Sequence, residues 1–388
     1  MKSFDVVIAG GAMAGATLAL ALAKQNPALA IAVVEAVDGE QQAHPGYDAR
    51  SIALASGSVQ TLKQWGLWDG LQAQAEPIRH IHVSDRGHAG ITRIDADEQG
   101  VDALGHVVEL ANVGQYYQQQ LKSHAAITFY CPDVIASMSA NDTGYQLTLS
   151  SGALCHARLV VAADGGHSSL SNQLKLTQHA HDFEQVALIA NVTTAEPHGG
   201  RAFERFTENG PLAMLPMREG RSSLVWCLRP EQAAQMAALD DGAFLAALQR
   251  AFGWRLGALT QVGKRDCYPL LLRQRQSVIA HRAVVIGNAA QSLHPIAGQG
   301  FNLGLRDVAE LVAQISASDD PGAPHVLQQY QANRQADRQA TIALTSGLVA
   351  LFSNCALPLV AGRNLGLMAM GQCRALQSPL VKHTMGIR

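Results

Sequence analysis

The sequence predicts an α/β fold: a Rossmann-like parallel sheet, interrupted by a mostly antiparallel one and followed by a helical C-terminus. Three observations predict it. The apolar run 4–9 ends in the small-residue turn Gly10-Gly11-Ala12 and opens directly into an Ala/Leu-rich stretch at 14–25, the order strand, tight turn, helix. The same order returns at 159–170 and at 283–304. Between 186 and 228 the pattern changes to short strands at 187–192, 201–206, 212–216 and 222–227, with Gly210-Pro211 as a turn, which is the mark of an antiparallel insertion.

In the opening unit each small residue has a task. Gly10 permits the tight turn, a small residue at 12 lets the backbone approach a pyrophosphate at the helix N-terminus, and Gly15 lets the helix pack close to the strand. Position 12 is Ala where a dinucleotide fingerprint has Gly, so one methyl stands where the phosphate would pass. The second strand, 31–34, ends at Glu35, 20 positions past Gly15, where an acidic residue would hold a ribose hydroxyl pair. Arg50 follows a turn-rich segment, placed to meet a phosphate or a ring edge.

Two strands at 81–85 and 90–94 flank the polar turn 86–89. A helix is predicted over 112–123, with Asn112 as N-cap and Gln115 in its first turn. Short strands follow in 128–149 around an Asn141-Asp142-Thr143-Gly144 hairpin turn. Asp164 and Gly165 stand at the carboxyl end of the next strand, where open α/β sheets bind ligands. Helices are predicted at 231–238 and 241–252, and one running to 317 after the Gly298-Gln299-Gly300 turn. The run 341–362 carries no charge, but Thr, Ser, Asn and Pro interrupt it, so it reads as buried or membrane-surface helices and not as a span.

Composition excludes several classes. A net charge of −2 gives no nucleic-acid footprint. The six cysteines form no CxxC pair and the 15 histidines no HExxH spacing, so no metal site or disulfide framework is expected. The apolar stretch at the start is too short for a signal peptide, and a cytoplasmic protein is expected.

Taken in order, three segments resemble those of the class A FAD-dependent aromatic hydroxylases: Gly10 to Gly15, Asp164-Gly165, and Gly287-Asn288 with 295–304. The resemblance covers nearly the whole chain. Within that class, 44–50, 83–90, 201–216 and 287–307 resemble the ubiquinone-biosynthesis hydroxylases, above all the branch that acts on an octaprenyl methoxyphenol. It implies a GR2-type FAD-binding domain built from 1–75, 98–180 and 276–330. A substrate domain of the para-hydroxybenzoate hydroxylase kind would comprise 76–97 and 181–275, and a helical segment 331–388.

The resemblance also implies roles. Gly10, Gly11, Ala12 and Gly15 would hold the ADP part of FAD, with Glu35 on its ribose and Arg50 near the flavin or pyrophosphate. Gln115 would contact the ribityl chain, as would Gly287-Asn288, where the family usually has Asp. Asp164 and Gly165 would lie near the pyrophosphate and the nicotinamide approach. Pro295, Gly298, Gly300, Phe301 and Asn302 would bring a helix N-terminus to the flavin. NAD(P)H would reduce FAD, O2 would add at flavin C4a, and the distal oxygen would pass to a phenol ring. Phe206, Leu212, Met214, Leu215 and Pro216 would line the substrate pocket. His294, the one histidine inside a flavin motif, is either a phenol base or a residue that fixes the Pro295 turn. The implied partners are a polyprenylated phenol, other ubiquinone-biosynthesis proteins and the inner membrane face. A hydroxylase of another ring position in the same pathway, a flavin-dependent prenyl reductase and a non-catalytic subunit of a biosynthetic complex stay open as alternatives.

Overall fold

The computed structural model describes residues 1–38, 50–354 and 356–386; most of the 44–50 stretch used above lies outside them. The strand Lys2–Ala9 is central in a sheet of order Ile279–Ala280, Ala283–Val285, Leu154–Ala162, Lys2–Ala9, Ile31–Val34, Ile127–Tyr130. The four inner pairings, from Ala283–Val285 to Ile127–Tyr130, are parallel. Parallel strands are covered on both faces, so they read as continuous apolar runs; Val6, Val7 and Ile8 are all fully buried. The helix Met13–Gln25 is buried from Gly15 through Ala23. It lies against Leu110–Ser123 and Gln299–Ser316, which explains its lack of a polar face.

A second sheet of nine strands is antiparallel except where Arg201–Thr207 runs parallel to His80–Asp85. It takes its strands from 80–95 and from 178–275, and also the short strand Gln291–Ser292, which pairs with Asp266–Arg275. One face is closed by the helices Pro230–Ala238 and Asp241–Phe252. The other face turns toward the parallel sheet. A three-stranded sheet, Ser51–Ala55, Gly105–Glu109 and Glu76–Ile78, completes the set.

The last helices, Pro324–Phe352, Leu357–Gln372 and Arg374–Met385, pack back on both sheets. A buried network ties the first of them to Gln299–Ser316. Asp307 accepts from Arg334 Nε (2.9 Å) and Gln291 Nε2 (2.7 Å), and Arg338 Nε donates to Gln291 Oε1 (2.8 Å). The second docks through Arg363 Nε on Asp85 Oδ2 (2.8 Å), with Thr92 Oγ1 donating to the Leu367 carbonyl (2.6 Å). No single described helix is long and apolar enough to cross a membrane; the uncharged run is divided between two helices bent by 119°.

The sequence reading differs in two places. The helix predicted from Asn112 begins at Leu110, with Glu109 as N-cap. The strand expected at 187–192 extends over Gln178–Thr194, its outer half paired with Asp266–Arg275, a partner strand the sequence pattern does not reveal.

Candidate active site

The two sheets enclose a cavity of about 1020 Å³, at the upper end of roughly 300–1,000 Å³ for small-molecule sites. One end is built by the parallel sheet. Gly10 and Ala12 line it, as do Glu35, Arg50, Asp164, Gly165, Gly287 and Asn288. At the middle stand Pro295, Gly298, Gly300, Phe301 and Asn302. The other end is apolar: Ala187, Ile189, Phe206, Leu215, Val225 and Leu270 from the large sheet, and Leu348, Phe352, Leu367 and Met370 from the last helices.

Two helices point their N-termini at this space. Met13–Gln25 has Ala12 as N-cap without a side-chain cap bond, so its first N–H groups and the positive end of its dipole face the cavity. Gly10, at φ +100°, could not carry a side chain: a Cβ there would lie 2.5 Å from the Ala163 carbonyl oxygen. Gly15 is tighter still, with a Cβ 1.9 Å from the Gly10 oxygen. Gly11 and Gly15 do not line the cavity; they shape its wall. The Gly11 N–H donates to Glu35 Oε2 (2.6 Å) and the Val37 N–H to Oε1 (3.0 Å), which fixes the Glu35 carboxylate at the strand end.

The second helix, Gln299–Ser316, has Gly298 as N-cap in the left-handed region (φ +60°, ψ 27°), a conformation glycine adopts without strain. The Asn302 side chain holds this end in place. Its Oδ1 accepts from the Ala55 N–H (2.8 Å) and Ser58 Oγ (2.7 Å), and its Nδ2 donates to the Ala53 (2.9 Å) and Gly298 (2.7 Å) carbonyls. Gln299, Gly300 and Phe301 precede the first helical hydrogen bond, so their N–H groups are directed outward from the turn.

Asp164 divides its carboxylate. Oδ2 accepts the Leu170 N–H (3.3 Å), while buried Oδ1 has no partner among the described residues. Arg50 lies over the Tyr268 ring, 5.0 Å from its centroid, joining the parallel-sheet end to the large sheet.

Several expected residues lie elsewhere. Gln115 is exposed and does not line the cavity; it sits on the outward side of its helix. Leu212 and Met214 face the helices Pro230–Ala238 and Asp241–Phe252 in a core with Phe244 and Phe252. Side chains alternate along a strand, so of 212–215 only Ala213 and Leu215 reach the cavity. Pro216, on the same parity as Met214, is buried away from it as well. Residues that the sequence reading passed over, among them Glu204, Tyr268, Leu348 and Phe352, do line it.

His294 does not line the cavity either. It is buried, and its Nδ1 accepts the Ile296 N–H (3.2 Å). The proton therefore resides on Nε2, which donates to Gln185 Oε1 (3.0 Å). Burial lowers its pKa from 6.5 to about 4, so this neutral, doubly bonded imidazole fixes the Pro295 turn and is no base for a phenol. The unfolded chain binds the proton first as pH falls, so the fold loses stability from about pH 6.5 down to about 4, a change on the order of 3 kcal/mol. Thermal unfolding of wild type is expected to show this decline and His294→Gln a shallower one. His82 and His106, also lowered by burial, act in the same direction and Glu204, raised by burial, in the opposite one, so the difference between wild type and His294→Gln is the quantity that reports on His294. Equal slopes would show that His294 is not the group responsible.

The comparisons agree with this geometry. Residues 3–345 match the FAD binding domain family. Ubiquinone hydroxylase UbiL of Rhodospirillum rubrum is 37% identical over 99% of this chain and 90% of its own length. The 3-demethoxyubiquinol 3-hydroxylase of Escherichia coli is 31% identical over 99% and 98%. The chain belongs to the ubiquinone-biosynthesis hydroxylase family of FAD-dependent monooxygenases. Among solved structures, p-nitrophenol 4-monooxygenase PnpA from Pseudomonas putida DLL-E4 has a TM-score of 0.82 at 18% identity, with both chains fully covered. Klebsiella pneumoniae HpxO complexed with FAD and uric acid has a TM-score of 0.78 at 15% identity, covering 100% of this chain and 96% of that one. These two share the fold.

The residues of this monooxygenase fit FAD. The glycine cradle that a Cβ would fill, the two helix N-termini and the unpartnered Asp164 Oδ1 suit an elongated ligand with a pyrophosphate and hydroxyl groups.

Proposed function

We propose that this chain hydroxylates the aromatic ring of a polyprenylated phenol in ubiquinone biosynthesis, converting 2-octaprenyl-6-methoxyphenol to the 1,4-benzoquinol with FAD, NAD(P)H and O2. One observation carries the reading: a single cavity joins a polar end suited to a dinucleotide with an apolar end suited to a ring and its hydrocarbon tail. The names of the relatives, a ubiquinone hydroxylase and a demethoxyubiquinol hydroxylase, favour that substrate class.

In this reading Gly10, Gly11, Ala12 and Gly15 form the pyrophosphate turn and Glu35 holds the adenosine ribose. Asp164 Oδ1 and Asn288 accept hydroxyl hydrogens, and the N–H groups of Gly300 and Phe301 stabilise negative charge on the reduced flavin. Asn288 replaces the usual Asp and retains an acceptor oxygen. Bound FAD supplies the two-electron reduction of O2 and delivery of one oxygen atom. The protein positions the ring and excludes water: Phe206 and Leu215 with Phe352 and Leu367 form the dry wall.

The substrate's tail leads to a lipid source. Leu357, Leu365 and Met368 of Leu357–Gln372 are exposed, Leu357 by 82%, while Leu367 of the same helix lines the cavity. A helix that meets the inner membrane face with one side and the cavity with the other would take the phenol from the bilayer.

The test is lipid analysis by mass spectrometry of cells lacking the protein. Accumulation of a prenylated methoxyphenol, rescued by the intact protein and not by Gly15→Val, is expected. Accumulation of an earlier or later phenol would move the ring position, and unchanged quinones would overturn the reading.

A further inference from the structure

The strand Arg201–Thr207 places Phe203 and Arg205 on the helix-packed face of the large sheet. Phe203 meets Phe252 edge-on with ring centroids 5.2 Å apart, and Arg205 Nε donates to the Ala251 carbonyl (3.0 Å). By the two-residue period of a strand, Ala202, Glu204 and Phe206 face the cavity, and all three line it; Phe203 also borders it. Glu204 stands between Ala213 on one neighbouring strand and Val83 on the other. Phe206, next on the same face, stacks on Phe352 at 3.5 Å and packs with Ile296, the residue after Pro295. Glu204 thus stands where the apolar end meets the turn that leads into Gln299–Ser316.

Among the described residues, no donor reaches the Glu204 carboxyl and no cation pairs with it. A carboxyl in apolar surroundings without a partner is costly, and an apolar side chain would fit a merely structural position better. A ligand that brings its own hydroxyl donor removes the cost.

We infer that Glu204 is a catalytic residue of this hydroxylase: its carboxylate takes the hydrogen of the substrate's ring hydroxyl as oxygen is added to the ring. The assignment rests on the phenol reading above. As the new carbon–oxygen bond forms, the phenolic O–H bond breaks, its electron pair becomes the carbonyl bond of a ring dienone, and the proton passes to Glu204. The bond between the two oxygen atoms breaks in the same step, its electron pair going to the departing oxygen. The oxygenated carbon then loses its hydrogen as a proton, which that oxygen takes up on its way to water, the ring pair is restored, and Glu204 returns its proton to the ring oxygen. One atom of O2 is in the product and the other leaves as water, with the two electrons supplied by NAD(P)H.

The electrostatics suit that task. Burial raises the Glu204 pKa from 4.5 to about 7, which makes it a stronger base than an exposed carboxylate at neutral pH. The titratable groups on the elements packed around this face leave it so. The Cys227 thiol is pushed up by burial and by Glu204 itself, Asp85 is ion-paired with Arg363, His294 is neutral, and Arg50 covers Tyr268.

The experiment uses the full chain loaded with FAD, photoreduced without oxygen, then mixed with O2 and 2-prenyl-6-methoxyphenol. Phenol binding is followed by the change in flavin absorbance, and product is quantified after one turnover. Glu204→Gln is expected to keep its FAD, to bind the phenol within about threefold of wild type, and to form product about a hundredfold more slowly. The wild-type rate should fall below about pH 7; this acid limb should vanish in Glu204→Gln and return, displaced, in Glu204→Asp. A Glu204→Gln enzyme that binds the phenol and shows the wild-type rate and acid limb overturns the role of Glu204 alone. A wild type that binds no phenol overturns the phenol reading and this assignment with it.

Discussion

Gly15→Val is expected to yield protein that retains no FAD. The added Cβ would sit 1.9 Å from the Gly10 carbonyl oxygen and 3.1 Å from the Ile8 side chain. The first neighbour is backbone in the middle of the tight turn, so no rotamer change relieves the clash. The helix Met13–Gln25 must move off the strand Lys2–Ala9, and its N-terminus moves with it. Nine consecutive residues of that helix are buried, so the displacement also opens the core, and a loss of several kcal/mol is expected. Gly347→Ala is the matched control. Its Cβ would meet nothing within 4 Å, it lies inside the helix Pro324–Phe352, and the change should be neutral or stabilising by up to about 1 kcal/mol. Flavin absorbance per mole of purified protein decides the matter. A Gly15→Val protein with stoichiometric flavin would show that the phosphate turn is not where we place it.

Asp307→Ala should lower unfolding stability by about 3–5 kcal/mol, a large share of the roughly 5–15 kcal/mol typical of a folded domain. Asp307 is fully buried and accepts from Arg334, from Gln291 and, at 3.3 Å, from the Gly287 N–H. Its removal leaves the buried Arg334 guanidinium with Asp337 (2.6 Å) as its one acidic partner among the described residues. It also leaves Gln291 Nε2 without its acceptor and frees Gly287 at the edge of the cavity. FAD affinity should therefore fall together with stability. Asp307→Asn keeps the shape and one acceptor, and should lose less. Urea unfolding of the FAD-free proteins measures the first effect and flavin titration the second. A loss below about 1 kcal/mol for Asp307→Ala would show that the network does not hold the helix Pro324–Phe352 to Gln299–Ser316.

The parallel sheet was the most legible part of the chain because its constraints are local. A buried parallel strand must be apolar throughout, and a turn as tight as Gly10 to Gly15 admits only small residues. The lining of the large sheet was less legible. The pattern 212–216 shows alternating size but not which parity faces the cavity, since both faces of that sheet are buried. Leu212 and Met214 satisfy a helix-facing core as well as they would a pocket. Glu204 carried a usable signal: a carboxylate flanked by Phe203 and Phe206 in a strand needs either a cation or a task. Its neighbour Arg205 suggests the cation, and only the structure shows Arg205 turned to the opposite face. Gln115 lies outside the lining for the complementary reason. The distance along a helix from its first turn is readable, but rotation about its axis is set by what packs beside it.

The wall that Leu348, Phe352, Leu367, Met370 and Leu380 contribute to the cavity has a consequence for biogenesis. With Gln377, Val381, Thr384 and Met385 these residues are the last of the lining in the chain, and Gln299 Nε2 is bonded to the carbonyl of Thr384 (3.2 Å). On the ribosome the parallel sheet can form and take up its nucleotide while the opposite side of the chamber is still being translated. The emerging protein therefore exposes the apolar face of its large sheet until residue 385 is free to fold back. A flavin bound during that interval would be open to solvent.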